Sequence, residues 1–292
     1  MDAVYDVAML MQGGSSGVGS SSGDGDKNSS FGFGDLCSTR ASLVARFPLD
    51  REGIERYLLL VQGSEIAFPL YVATRALPIA FGIRSAARRL LGLSTYFDRT
   101  TGQVIDDIFR SSADRETIRG VLSYLYGDYG LAPGQSAFIM TALVMNHYLV
   151  GGGFYPSAGP QAIAETFIPP VVAAGGAVFV RAKVDKILLE GGRVAGVLVR
   201  GCEIRCATII STIGVESTYF SLLSHHRSAS ELAKSFSTAG SSGSGCKGVS
   251  RSCSMFTVFV GLDASAEELC LPAQNRWLFP SWDHDDNIKR FT

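Results

Sequence analysis

Charge is scarce in this 292-residue chain and nowhere concentrated. Asp, Glu, Lys and Arg make up 18% of it, the net charge is −1, and no basic tract or acidic tail occurs. Neutralising phosphates needs clustered Lys and Arg, so a general nucleic-acid binder is excluded. Paired cysteines are lacking too. Cys37, Cys202, Cys206, Cys246, Cys253 and Cys270 form no C-x-x-C pair, and no histidine stands at zinc-ligand spacing from two of them. No secretory signal opens the chain, so free thiols in a reducing compartment are expected. No apolar run of 18 residues is free of charge. The nearest, 66–83, contains Arg75, Pro69 and Pro78, which argues against a spanning helix. It leaves three readings open: a segment lying in a membrane interface, the lining of an apolar tunnel, or an ordinary buried helix pair.

Hydrophobic residues are plentiful at 46%, enough for the core of one large domain or two modest ones. Two Gly/Ser-rich stretches, 13–34 and 235–254, are too poor in apolar side chains to offset chain entropy, and loops are expected there. Between them the hydrophobic period is first helical. Asp50 precedes a run in which Ile54, Tyr57, Leu58 and Val61 share one face. Ser111 and Asp114 have capping-box spacing ahead of Ile118, Val121, Leu122 and Leu125. Further helices are expected over 135–150 and 160–174, the latter stopped by Gly175-Gly176. The period then shortens. Strands are expected over 177–180, 184–190 and 194–200, the last two joined by Gly191-Gly192 as a hairpin. The continuous apolar run 207–212 suits a strand buried on both faces of a parallel sheet, and 255–262 is a further strand. No internal repeat is found.

The order within 155–212 is the informative part. A Pro/Gly turn launches a helix, Gly-Gly ends it, a strand enters an antiparallel meander, and a final strand returns. That is a crossover connection of an α/β sheet with a small antiparallel insertion. The pieces are Tyr155-Pro156 with Gly159, Gly175-Gly176, Val184 with Ile187, Gly196-Val197, and Ser211-Thr212. This pattern resembles the amine-oxidase and phytoene-desaturase group of flavoproteins, except that Ser157-Ala158-Gly159-Pro160 stands where that group has two turn glycines. FPLDREGIERYLLLV (47–61), GDYGLAPGQSAF (127–138), NHYLVGGGFYP (146–156) and VGLDASAEELCLP (260–272) are similar to one branch of it, the FAD-dependent all-trans-retinol 13,14-reductases (retinol saturases), related to the carotenoid isomerases.

The resemblance implies an α/β (α+β) fold. Residues 153–214 would form a partial FAD-binding Rossmann-like domain with a three-stranded β-meander insertion. Residues 1–152 and 215–292 would contribute to a helical/β substrate domain. It implies FAD as cofactor, with NAD(P)H as electron donor. The backbone of Val184 would meet the adenine, and Ser211 and Thr212, at the end of the returning strand, would lie near the cofactor. The implied substrate is an apolar polyene, retinoid or carotenoid, reduced at one C=C bond. The alternatives are a carotenoid cis–trans isomerase or desaturase on the same scaffold, and a non-catalytic apolar-ligand binder or inactive fragment. The first implies association with the endoplasmic-reticulum membrane through a peripheral contact, and a carotenoid enzyme implies a plastid.

One expected part is not recognised. Flavin binding in this fold needs an N-terminal strand, a G-x-G-x-x-G turn and a helix whose first amides hold the pyrophosphate. Residues 5–10 suit a strand, but Gln12 stands where the first glycine belongs, ahead of Gly14 and Gly17, and no helical pattern follows. The N-terminal strand is therefore placed in the substrate domain, and the chain is read as a truncated gene model, a fragment, or one half of a split protein, whose partner would be a missing N-terminal FAD-binding segment. Tyr129 and His147 lie in the family-like motifs and are weighed as proton donors against a role in core hydrogen bonds; no catalytic acid is assigned. Ser136 has no Ser-His-Asp context. His225-His226 is read as solvated linker, and 283–286 lacks the loop geometry for an ion.

Overall fold

A computed structural model describes residues 4–10, 30–77, 82–226, 255–265, 267–271 and 274–291. The chain forms two compact units, Met1–Phe154 with Ser252–Thr292, and Tyr155–Arg251. The secondary structure is mixed, helices with two three-stranded sheets, as an α+β fold requires.

In the first unit a central strand β1 (Val4–Leu10) pairs antiparallel with β2 (Ser30–Gly34) and parallel with β6 (Asn275–Phe279). The helices are α1 (Leu36–Arg46), α2 (Arg51–Arg75), α3 (Ile83–Leu90), α4 (Ser94–Phe97), α5 (Thr101–Ile108), α6 (Arg115–Leu122), α7 (Tyr126–Tyr129), α8 (Phe138–Asn146) and, at the end of the chain, α10 (His284–Phe291). A π-helical turn, His147–Gly151, extends α8. The Gly/Ser-rich stretch expected to be loop over 13–34 ends earlier than composition suggests. Its last five residues form β2, because Phe31 and Phe33 turn into the core, where Phe33 stacks on Tyr124 at 4.1 Å. The rest of that stretch, 13–29, and all of 235–254 lie outside the described residues.

The helical stripe of α2 is as the sequence indicates: Ile54, Tyr57, Leu58 and Val61 are buried. Tyr57 also donates from its hydroxyl to the Leu122 carbonyl at 2.8 Å, so its one polar atom is satisfied inside the core. The helix runs on to Arg75 and carries Pro69 inside it. Beyond Ser64 it is scarcely covered: Ile66, Phe68, Leu70 and Val72 are exposed, while Ala67 and Thr74 face inward. The expected capping box at Ser111 and Asp114 does not form. Asp114 precedes α6 without a side-chain cap, and its N–H bonds the Ser112 hydroxyl instead. A reciprocal box occurs at α5, where Thr100 accepts from the Gln103 N–H and the Gln103 side chain accepts from the Thr100 N–H.

Among its described residues the second unit has one α-helix, α9 (Gln161–Ala173), then β3 (Val184–Glu190), β4 (Arg193–Val199) and β5 (Cys202–Arg205) as an antiparallel meander in that order. Its two turns are chemical necessities. Gly191 and Gly192 both have positive φ, 56° and 78°, as a two-residue hairpin demands. Arg200 takes φ 50° beside Gly201, and its N–H is held by the Asp185 carboxylate at 2.8 Å. Three expected strands are not formed. Residues 177–180, 207–212 and 255–262 belong to no sheet. A β-rich run becomes a strand only when a neighbour supplies the ladder, and these segments have none among the described residues.

Candidate functional site

The three residues marked by the sequence, Val184, Ser211 and Thr212, line one cavity of about 630 Å³ in the second unit. Val184 opens β3, which is an edge strand because the sheet order is β3-β4-β5. An edge strand aims alternate N–H and C=O groups away from its ladder, where a ligand can take them. The floor is apolar, with Ile187 and Val197 from the meander. Ser211 and Thr212 also border an adjoining cavity of about 500 Å³ closed by Val215, Tyr219 and Leu223. The Ser211 hydroxyl lies 2.7 Å from that of Thr218, whose proton goes to the Gly214 carbonyl, so Ser211 donates and Thr218 accepts. Lys183, beside Val184, is the one basic residue on the larger cavity among the described residues. The sequence reading did not single it out, although its place next to Val184 was the available signal.

These residues fit the adenosine end of a dinucleotide. The strand edge at Val184 offers the paired donor and acceptor that adenine needs, an apolar floor suits its ring face, and hydroxyls with an ammonium suit ribose and phosphate. They include no helix N-terminus or glycine cradle for the pyrophosphate. The spacing G-x-G-x-x-G does occur at Gly243, Gly245 and Gly248, which the sequence reading passed over. It lies outside the described residues, and neither a strand pattern before it nor a helical one after it supplies the phosphate-binding context.

The first unit holds a second candidate site. A pocket of about 470 Å³ is lined by Asp128, His147, Tyr148, Leu143, Val144 and Met255. Asp128 sits on the single turn of α7, ended by Gly130 at φ 75°. Surrounding protein pushes its carboxyl above the usual carboxylate range, and the charge of Asp6 adds to the effect. Asp6 is buried on β1 and accepts from the Tyr124 hydroxyl and the Asn275 amide, each at 2.9 Å. Burial also raises Tyr148, with further contributions from Asp128 and Asp6. The His147 ring meets Tyr148 edge-on at 5.7 Å.

The two proton-donor candidates separate here. Tyr129 is tied into a buried chain of hydroxyls: it lies 2.7 Å from Thr141, which lies 2.7 Å from Thr101, which lies 3.0 Å from Ser136. Burial pushes the Tyr129 phenol up, so it stays neutral and serves the core. Ser136, at the end of that chain, is fully buried. His147 instead faces the pocket together with Asp128, one residue before Tyr129 in the same motif. Residues 283–286 open α10. There His284 bonds the Gly120 carbonyl at 2.9 Å, and Asp285 holds Arg119 at 2.5 Å and the Gly134 N–H at 2.9 Å.

Among the described residues, no helix is long and apolar enough to cross a membrane, and no cluster of His, Cys, Asp or Glu could hold a metal ion. No family profile matches the chain. Curated relatives do. The all-trans-retinol 13,14-reductase of Danio rerio is 32% identical over 84% of this chain and 40% of its own length. That of Homo sapiens is 31% identical over 85% of this chain and again 40% of its own length. A Danio rerio protein named inactive all-trans-retinol 13,14-reductase is 23% identical over 86% of this chain and 40% of its own length. The chain thus spans about two fifths of the length of the relatives it matches.

Proposed function

The chain belongs to the all-trans-retinol 13,14-reductase family, and we propose that it supplies part of an FAD-dependent reductase acting on a C=C bond of an apolar polyene. The observation that carries the reading is the convergence of Val184, Ser211 and Thr212 on one cavity beside a strand edge. The edge of β3 would take the adenine, and Lys183 with Ser211 and Thr212 would hold the ribose and first phosphate. A flavin held there, reduced by a nicotinamide, would supply the hydride for one carbon of the double bond, and an acid of the complete site would supply the proton for the other. The names of the relatives favour a retinoid over a carotenoid, and reduction over isomerisation or desaturation.

The unpaired apolar runs 177–180 and 207–212 support a further part of this reading. They would become strands beside a ladder, which an additional FAD-binding segment would provide. The chain, alone and co-expressed with the part of the Danio rerio reductase outside the match, is to be purified with FAD and its bound flavin read by absorbance. A near-stoichiometric band in the joint preparation, lost in Val184→Pro and kept in Val184→Ala, is the expected result. Flavin in neither preparation would overturn the reading. It would favour the second one, a non-catalytic polyene binder, to which the relative named inactive lends support.

A peripheral membrane contact, at the endoplasmic reticulum by the family reading, is part of the same proposal. The exposed apolar half of α2 (Ile66, Phe68, Leu70, Val72) is followed by α3 with Arg84, Arg88 and Arg89, a combination suited to an anionic lipid surface. Flotation with phosphatidylserine vesicles, abolished by Phe68→Asp, is the expected outcome; unchanged flotation of that variant places any contact elsewhere.

A further inference from the structure

The last strand of the meander has an open edge whose pattern is self-complementary. β5 reads Cys202-Glu203-Ile204-Arg205, and all four residues are exposed. Among the described residues it pairs with β4 alone, so its other edge has no ladder. The register fixes which groups face that edge. The Cys206 N–H bonds the Ala195 carbonyl at 3.1 Å, Ile204 stands opposite Val197, and Cys202 opposite Val199. Main-chain groups alternate in direction along an antiparallel strand. Cys202, Ile204 and Cys206 therefore turn theirs to β4, while Glu203 and Arg205 present theirs outward. Side chains alternate too. Glu203 and Arg205 share one face of the sheet, where Arg205 bonds Glu190 at 2.6 Å and approaches Glu203 at 3.5 Å. Ile204 lies on the other face, at the end of the cross-strand row Ile187, Val197, Ile204. That row is buried at Ile187 and stops at Ile204, which is 43% exposed.

We propose that β5 pairs antiparallel with β5 of a second copy of this chain, with Ile204 on the twofold axis, so that the two meanders form one continuous sheet. Outward-facing residues can pair only with outward-facing residues, and this limits the register. Centring on Glu203 sets it against the partner's Glu203, and centring on Arg205 sets it against the partner's Arg205; like charges directly opposite disfavour both. Centring on Ile204 sets Glu203 against the partner's Arg205, twice by symmetry. Each such pair exchanges both main-chain bonds, and the five donors of Arg205 can serve Glu190 and the partner's Glu203 together. On the other face Ile204 meets the partner's Ile204, so the apolar row continues into the second copy. Edge strands that stay single commonly carry charge that repels a neighbouring strand. Here the two charges are opposite in sign and spaced to match. A strand this short makes a weak, reversible dimer, dissociating on the order of 100 µM. Such a dimer needs neither flavin nor polyene.

The full 292-residue chain is brought to sedimentation equilibrium in reducing buffer. The parent should dimerise. Glu203→Arg and Arg205→Glu each set like charges across both pairs, and each should weaken the dimer by about tenfold or more. Mixed in equal amounts, the two variants regain two opposite-charge pairs, so association should return to within about threefold of the parent. Mixing would not mend a structural defect in either variant. A second readout uses thiols. The same register puts Cys202 opposite the partner's Cys206 as a non-hydrogen-bonded pair, with Cα atoms about 4.5 Å apart, within reach of a disulfide. Diamide, which takes up the two thiol hydrogens, should give a covalent dimer. Cys202→Ser and Cys206→Ser should each prevent it, and their mixture should restore it in part. A parent that stays monomeric up to roughly 500 µM overturns the proposal. So does a dimer that neither charge variant weakens, or a covalent dimer undiminished in both serine variants, because the copies then meet elsewhere.

Discussion

The two units are built from sequence of similar hydrophobicity and end in opposite states. The first closes on itself. Phe33, Tyr57, Phe109, Tyr124 and Phe138 are fully or almost fully buried, and strands far apart in sequence are pinned by Asp6 with Tyr124 and Asn275. In the second, among described residues only Ile187 and Gly196 are buried. Phe167, Phe179, Val180 and Ile210 are 68%, 69%, 83% and 88% exposed. A stable domain does not leave so much contiguous apolar surface in water. What holds the second unit's meander is local: two tight turns whose positive-φ residues set the register. The lesson is that hairpin chemistry forms without a core, whereas a parallel strand such as 207–212 does not form without its neighbour.

The largest effect should come from the same kind of truncation made in each unit. Phe138 is fully buried, with Tyr57 and Tyr96 rings 6.1 and 5.7 Å away. Phe138→Ala should cost about 3–5 kcal/mol of unfolding free energy. Phe167→Ala, on exposed α9, should change it by less than about 0.5 kcal/mol. Urea unfolding followed by tryptophan emission reports the first unit, where both tryptophans lie, and unfolding followed by far-ultraviolet circular dichroism reports both units. Equal shifts from the two variants would break the comparison. If the complementary segment proposed above is present and Phe167→Ala then becomes costly, the comparison sharpens, because the second unit has acquired a core.

What could be read from sequence divides along the same line. The buried stripe of α2, the Gly191-Gly192 hairpin and the helix ended by Gly175 were legible because each is decided within a dozen residues by periodicity or by a conformation only glycine adopts easily. Strands 177–180, 207–212 and 255–262 were read from β-propensity, which describes a fit to a sheet and cannot say whether the sheet is there. Residues 30–34 failed the other way. Glycine and serine mark a loop by composition, but Phe31 and Phe33 alternate inward, and tertiary burial overrode composition. At the sites, Val184, Ser211 and Thr212 were named from a family pattern and the cavity places them together. The upward shift of the Asp128 carboxyl was not legible, because nothing local announces the surrounding protein or the charge of Asp6, 122 residues earlier.

A smaller effect, confined to the first unit, tests whether its closure depends on pH through one residue. His284 is buried, with its Nε2–H donated to the Gly120 carbonyl at 2.9 Å and the rings of Tyr126 and Phe279 within 4.7 Å. Burial lowers its pKa to about 4, and the backbone bond, Asp285 and Asp283 only partly oppose this, while Arg119 reinforces it. An unfolded histidine titrates near 6.5. Between those two values the unfolded chain binds a proton that the folded chain refuses. The contribution of a neutral His284 is therefore complete above about pH 6.5 and is lost as the pH falls towards 4. The full span corresponds to roughly 3 kcal/mol, since one unit of pKa shift is about 1.4 kcal/mol. His284→Gln removes the titration and keeps a side-chain donor for Gly120. Over that window its unfolding free energy should fall less steeply than the parent's, by about one proton's worth of slope, in tryptophan-detected urea titrations at pH 7, 6, 5 and 4.5. Parallel curves for parent and variant would assign the acid sensitivity of the first unit to groups other than this imidazole.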